Sequence, residues 1–191
     1  MEDKIIQFIK RYIDLSDAEA DIVRDSSHIE SFKKNDILLS EGEYSKNHYF
    51  ILKGCVRTYY IIDGNEKTTE FYTENQSIVP ASMVTKEPSE YFISCLEDCT
   101  IAIGSEERDL VLIERIPKLK NLIMKSDIQV RIHNQVMFDN FKSKTPEMRY
   151  HFLLDTRPDL FNRVPLHQLA TYLGITPVSL SRMRKRISTK R

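Results

Sequence analysis

The chain has 191 residues with 28 basic and 28 acidic side chains, so its net charge of zero singles out no partner. That length supports one good core plus a small second domain. The N-terminus, MEDKIIQFIKRYI, threads charges through its apolar positions, unlike the continuous apolar core of an export signal or membrane span, so a cytoplasmic location without membrane contact is expected. Cys55, Cys95 and Cys99 are an odd number in such a chain, and reduced thiols are expected.

In chain order, Ser16 with Glu19 three residues later is a capping-box signature, predicting a second short helix from Asp17 to about Ser27. The period then changes. The runs Asp36 to Ser40, Tyr49 to Lys53, Val56 to Ile62, Thr68 to Tyr72 and Tyr91 to Ile103 are rich in Ile, Tyr, Phe and Thr. They are broken by Glu41-Gly42, Lys53-Gly54, Asp63-Gly64-Asn65 and Glu87-Pro88. Short antiparallel strands in a small barrel or roll follow, with Asp63-Gly64 the clearest hairpin turn because both positions tolerate positive φ. Within the run from Tyr91 to Ile103, a spacing of four puts Cys95 and Cys99 on one face but about 13 Å apart, too far to share an ion. Buried structural thiols are expected there.

Ser105, Glu106 and Glu107 open a helix through about Arg115, and Pro117 stands at the first turn of a longer one of about 25 residues, hence roughly 37 Å. Ile116, Ile123, Val130 and Met137 repeat every seven residues, widened by Leu119, Leu122, Ile132, Val136 and Phe141. Such a stripe either pairs with its copy in a homodimer or packs along its own roll. Asp127, His133 and Asn134 interrupt a pure heptad.

Charge separates the last part of the chain from the rest. Residues 142–191 carry 11 Lys and Arg against Glu147, Asp155 and Asp159, a net of +8, leaving 17 basic and 25 acidic residues before them. This is the footprint of a small nucleic-acid-binding domain attached to an acidic one. Inside it, Leu166, Leu169, Ala170 and Leu173 make one amphipathic helix, and Gly174 allows a tight turn. Thr176 as N-cap and Pro177 at the first position start a second helix. That helix buries Leu180, Met183 and Ile187 and presents Val178, Ser181, Arg182, Lys185 and Arg186 to a major groove. The expected fold is α+β: a β-roll domain over residues 1–115, a dimerisation helix over 116–142 and a helix-turn-helix over 143–191.

The Glu41-Gly42 turn, HYFILKGCVRTYY from His48, SCLEDCTIAIG from Ser94, TPEMRYHFLL from Thr145 and VPLHQLATYLGITPVSLSRMRKR from Val164 together resemble the Crp/Fnr family of bacterial transcription regulators. The combination of YLGITP with LSRMRK is similar to the form found in Bacteroidetes-type bacteria. The resemblance covers nearly the whole chain. It implies a homodimer on double-stranded promoter DNA, two recognition helices about one turn apart, a signal-sensing roll with an effector the sequence does not identify, and RNA polymerase as a further partner.

Several departures qualify what the resemblance implies. Cyclic-AMP-binding members carry a ribose-binding glutamate and, about ten residues on, a phosphate-binding arginine; here Pro80 and Glu90 take those places, in a candidate pocket of Pro80, Ala81, Ser82, Glu90 and Tyr91. A carboxylate there repels a phosphate, so cyclic-nucleotide binding is not expected, although a shift of a few residues would bring Lys86 to the site instead. No cysteine precedes Cys55, which removes the iron–sulfur site of oxygen-sensing members, and His28, His48, His133, His151 and His167 show no haem-ligand spacing. No cofactor is expected. In the recognition helix, Pro177 and Val178 replace the usual Arg-Glu pair while Arg182 keeps the later arginine. Arg182 is the expected guanine contact, Val178 a thymine-methyl contact, and Thr176 and Ser179 phosphate or backbone contacts. With no room for a following wing, Arg184, Lys185, Arg186, Lys190 and Arg191 are expected to supply backbone grip.

Two other classes stand against this reading. An enzyme would need convergent catalytic groups, and no Gly-x-Ser-x-Gly, Walker loop, His-Glu-x-x-His or dinucleotide turn is present. The alternative is a small-ligand signalling or scaffold module whose helix-turn-helix contacts protein rather than DNA. The absence of any acidic residue after Asp159 weighs against it.

Overall fold

A computed structural model describes residues 3–189. The chain opens with α1 (Asp3–Lys10) and α2 (Asp17–Ser26). The capping box forms as its spacing requires: Ser16 Oγ accepts from the Glu19 N–H, and the Glu19 carboxylate accepts from the Ser16 N–H at 2.8 Å. Glu19 also holds Lys118 at 2.8 Å, tying α2 to the start of the long helix. Ile6, Ile9, Leu15, Ala20 and Val23 pack there with Ile116, Leu119 and Leu122 in one core cluster.

Eight strands follow: β1 (His28–Phe32), β2 (Ile37–Leu39), β3 (Asn47–Lys53), β4 (Val56–Ile62), β5 (Asn65–Tyr72), β6 (Ser77–Ile78), β7 (Phe92–Cys95) and β8 (Cys99–Ser105). They form two four-stranded antiparallel sheets, in the orders β1-β8-β3-β6 and β2-β7-β4-β5. Leu39, Tyr49, Ile51, Val56, Ile78, Ile93, Cys95, Cys99 and Ile101 fill the roll between them. The β4–β5 hairpin turns at Asp63 and Gly64 with φ of 51° and 71°, the positive values that a two-residue I′ turn demands.

The run from Tyr91 to Ile103 is not one strand. A turn over residues 96–98 divides it into β7 and β8, so Cys95 and Cys99 are not about 13 Å apart along a strand. Cys99 Sγ lies 3.2 Å from the Glu97 carbonyl and 3.5 Å from the Cys55 carbonyl, within reach to donate to either. All three thiols are free and buried, and burial pushes Cys55 up to about 12. Among the described residues no group of three or more His, Cys, Asp and Glu could hold a metal ion.

Between β6 and β7 lies α3 (Ala81–Thr85); after the roll come α4 (Glu106–Arg115), capped by Ser105, and α5 (Leu119–Ser143), the 25-residue helix. Ile116, first of the seven-residue set, is fully buried against the N-terminal helices before α5 begins. Ile123 and Val130 are 41% and 47% exposed on the helix itself. The C-terminal helices are α6 (Pro146–Thr156), α7 (Leu160–Arg163), α8 (Leu166–Tyr172) and α9 (Pro177–Thr189). Their core is shared with the roll: Cys55, Phe71 and Leu96 belong to one cluster with Tyr150, Leu153, Leu160, Val164, Leu169, Ala170, Leu173 and Leu180. No helix among the described residues is long and apolar enough to cross a membrane.

Candidate nucleic-acid interface

The α8–α9 pair is built by residues whose roles are local. Leu169, Ala170, Leu173 and Leu180 are buried where the two helices meet, with Ala170 fully enclosed. Gly174 takes φ +70°, and the following Ile175 N–H returns to the Ala170 carbonyl at 2.9 Å, closing α8 with a left-handed cap. The positive φ favours glycine, and a Cβ at Gly174 would press on the Phe141 ring at 3.1 Å. Thr176 caps α9: its Oγ1 accepts from the Ser179 N–H at 3.1 Å and meets Ser179 Oγ at 2.9 Å.

From Thr176 the chain presents one exposed basic face. Thr176, Pro177, Val178, Ser179, Ser181, Arg182, Arg184, Lys185 and Arg186 are exposed, Val178 at 59%. Leu180 is buried, and Met183 and Ile187 are half-buried. At 100° per residue, Val178, Ser181, Arg182, Lys185 and Arg186 fall on one side of α9, opposite Leu180, Met183 and Ile187. Arg186 is ion-paired with Glu147 in the first turn of α6, so one of these cations is already partly neutralised. Lys190 and Arg191 lie outside the described residues.

Three arginines that periodicity does not single out hold this pair in place. Arg149 donates from Nε to the Leu173 carbonyl at 3.1 Å, and its Nη1 donates to the carbonyls of Phe141 at 2.9 Å and Lys144 at 3.1 Å. It therefore joins the ends of α5 and α8 by satisfying carbonyls that helix termini leave open. Arg157 donates to the Phe71 carbonyl and to Thr73 Oγ1 on the roll. Arg163 engages Glu74 through both terminal nitrogens at 2.9 and 3.0 Å and reaches Glu97 at 2.6 Å. Burial acts to raise the Glu74 carboxyl, but the Arg163 guanidinium and the Gly54 N–H outweigh it and hold the group below its ordinary value.

In the roll's candidate pocket several polar groups are engaged with one another. Pro80 is buried at the start of α3, the Ala81 N–H donates to Tyr91 Oη at 2.9 Å, and the buried Ser82 Oγ accepts from the Ser45 N–H at 3.3 Å. Tyr91 tilts against Tyr60 with ring centroids 5.6 Å apart. Glu90 is exposed and sends no hydrogen bond into this group. Burial raises the Tyr60 phenol above its ordinary value, with Tyr91 and the Glu90 carboxylate adding to it. The structure thus brings Pro80, Ala81, Ser82 and Tyr91 together and adds Tyr60 of β4. Lys86, in the left-handed region at φ 61°, is exposed and pairs with Glu106 at 3.7 Å.

Residues 29–114 match the cyclic nucleotide-binding domain family. Over the whole chain the structure is similar to a CooA mutant from Carboxydothermus hydrogenoformans, with a TM-score of 0.72 at 15% identity, covering 95% of this chain and 83% of that one. FixK2 from Bradyrhizobium japonicum superposes with a TM-score of 0.71 at 16% identity, covering 86% and 85%. CLP from Xanthomonas campestris, a regulator described as responsive to c-di-GMP, gives 0.69 at 14% identity over 92% and 93%. No curated protein sequence matches significantly. Residues 29–114 thus match the cyclic nucleotide-binding domain family, and the chain as a whole shares the fold of these three proteins.

Proposed function

We propose that the chain is a sequence-specific DNA-binding transcription regulator of Crp/Fnr type, acting as a homodimer in the cytoplasm and catalysing no reaction. The observation that carries this reading is the outer face of α9, where Val178, Ser181, Arg182, Lys185 and Arg186 surround no acidic side chain of their own helix and stand opposite its buried apolar side. Such a helix, held from behind by α8, has the shape and charge to enter a major groove and meet phosphates and base edges. Arg182 is the guanine-reading side chain, Val178 meets a thymine methyl, and Thr176, Pro177, Ser179, Lys185 and Arg186 set the helix against the backbone. In this reading residues 1–115 are the sensor, 116–142 the dimerisation helix and 143–191 the helix-turn-helix domain.

Pairing of α5 with its copy is supported by apolar side chains that stand exposed along it, Ile123, Val130 and Phe141 among them. A symmetric pair would cover them and space two recognition helices about one DNA turn apart. The roll has lost cyclic-nucleotide binding because the Ala81 N–H is already taken by Tyr91 and no guanidinium replaces the missing arginine. RNA polymerase is the further partner such a regulator addresses. Binding-site selection from random duplexes, followed by anisotropy titration at two salt concentrations, tests the reading. One enriched palindromic motif whose affinity falls steeply with salt is expected; no enrichment would refute it.

A further inference from the structure

Three turns of the roll come together at one end: β3–β4 with Gly54, β5–β6 with Glu74 and β7–β8 with Glu97. One side chain from the C-terminal helices joins them. Arg163, at the end of α7, is bidentate on Glu74 and also donates to Glu97, while Glu74 Oε1 accepts the Gly54 N–H at 2.9 Å. Its side chain is 21% exposed, so the pairing is partly shielded from water and strengthened by its fork geometry. Around it the contact is apolar and continuous, with the Phe71 ring 5.0 Å from Tyr172 and Cys55 and Leu96 in the core of the C-terminal helices. At its far side the Thr68 N–H of edge strand β5 donates to Thr171 Oγ1 of α8 at 3.2 Å.

A helical unit joined to the roll only through α5 would swing on the short connection between α5 and α6. Here the unit has a second attachment, and the two together over-determine where α9 points. The Glu74 turn also leads directly into the segment that carries α3, since the Thr73 N–H donates to Gln76 Oε1 at 2.7 Å and the Ile51 N–H to the Gln76 carbonyl at 3.0 Å. We propose that Arg163 is a positioning residue that rivets the C-terminal helices to three turns of the roll, and so sets the separation of the two DNA half-sites and links it to the state of the α3 segment. The half-site part rests on the DNA-binding reading given above; the rivet itself does not.

The test uses the full chain and two readouts, with Arg163→Met to remove the guanidinium, Arg163→Lys to keep the charge without the fork, and Glu74→Gln with Glu97→Gln to remove the acceptors' charge. Hydrogen exchange at the Thr68 amide reports docking, with the Ile101 amide in β8 as internal control. In Arg163→Met, Thr68 should exchange at least about tenfold faster while Ile101 is unchanged, and affinity across duplexes of graded half-site spacing should flatten. Arg163→Lys should recover part of both effects. Unchanged Thr68 protection in Arg163→Met and in the double glutamine variant would overturn the rivet. Faster Thr68 exchange with spacing preference intact would overturn the positioning role. A wild-type chain that binds no duplex would refute the DNA reading and the half-site role while the exchange data still decide the rivet. Should Arg163→Met fail to fold, the double glutamine variant carries both readouts.

Discussion

Tyr91 Oη lies 2.9 Å from the Ala81 backbone nitrogen and accepts its hydrogen bond. That N–H opens the short helix α3, and it is the kind of donor that a bound phosphate would have to recruit. The roll thus answers the polar demand of its own α3 segment internally, with Pro80 buried beside it and no guanidinium in the group.

Cyclic AMP and cyclic GMP should therefore fail to bind at physiological concentration. The group offers a phosphate no guanidinium, and the Ala81 N–H that could meet it is already held by Tyr91. Titration calorimetry should give no isotherm in the micromolar range with either nucleotide; a clear one would show that other residues hold the ligand.

The exposed apolar line on α5 leads to a prediction about assembly. Ile123→Asp with Val130→Asp should produce a monomer that no longer binds a palindromic duplex, because each protomer would have to bury two charges in the seam. Equilibrium sedimentation reads the outcome directly. A persistent dimer would place the interface elsewhere.

Gly174→Ala should destabilise the chain by about 1–2 kcal/mol for the left-handed backbone, with a further cost from the new methyl against Phe141. Because that ring also stacks under Arg149, with the guanidinium 4.6 Å from its centroid, the damage should spread to the α5–α6 junction. Urea denaturation measures it. A change within experimental scatter would mean that the turn relaxes freely.

Acid should loosen the attachment of α2 to α5. Glu19 is held down to about 2, first by Lys118 and then by the Ser16 N–H and hydroxyl. A depressed carboxyl contributes stability in full above its ordinary 4.5, and that contribution drains away as pH falls from there toward 2. Melting temperature measured over that window should fall less steeply in Glu19→Gln than in the parent chain; parallel profiles would remove Glu19 from the account.

Features that depend on neighbours along the chain are legible in the sequence. The Ser16–Glu19 box, the Asp63-Gly64 turn, the Ser105 cap of α4 and the Gly174-Thr176 corner all rest on backbone conformations that their own residues select. The hairpin between Cys95 and Cys99 is not legible, because Leu96, Glu97 and Asp98 include neither glycine nor proline and the β pattern runs on through them. Strand β1 escapes detection for a related reason: HIESF lies at a sheet edge with little burial, and its pairing comes entirely from β8, some 70 residues away.

The shared core is hidden in a different way. Alternation marks Phe71 as belonging to one face of β5, but cannot tell whether that face meets water or another part of the chain. Arg157 and Arg163 read in the sequence as two more cations of a basic segment. Their partners Thr73, Glu74 and Glu97 are 66 to 89 residues distant, and only the fold brings them together. The face of α9, by contrast, needs no distant information, since its exposed and buried sides follow from helical periodicity alone.

The central claim is that this face reads DNA, and Arg182 tests it most directly. On the selected duplex, Arg182→Ala should cost roughly 1–3 kcal/mol and erase preference over a scrambled sequence, whereas replacing Lys190, which lies outside the described residues, should weaken binding to both duplexes alike. Anisotropy titrations of the two variants on the two duplexes give the comparison. A footprint and sequence preference unchanged by Arg182→Ala would contradict the account.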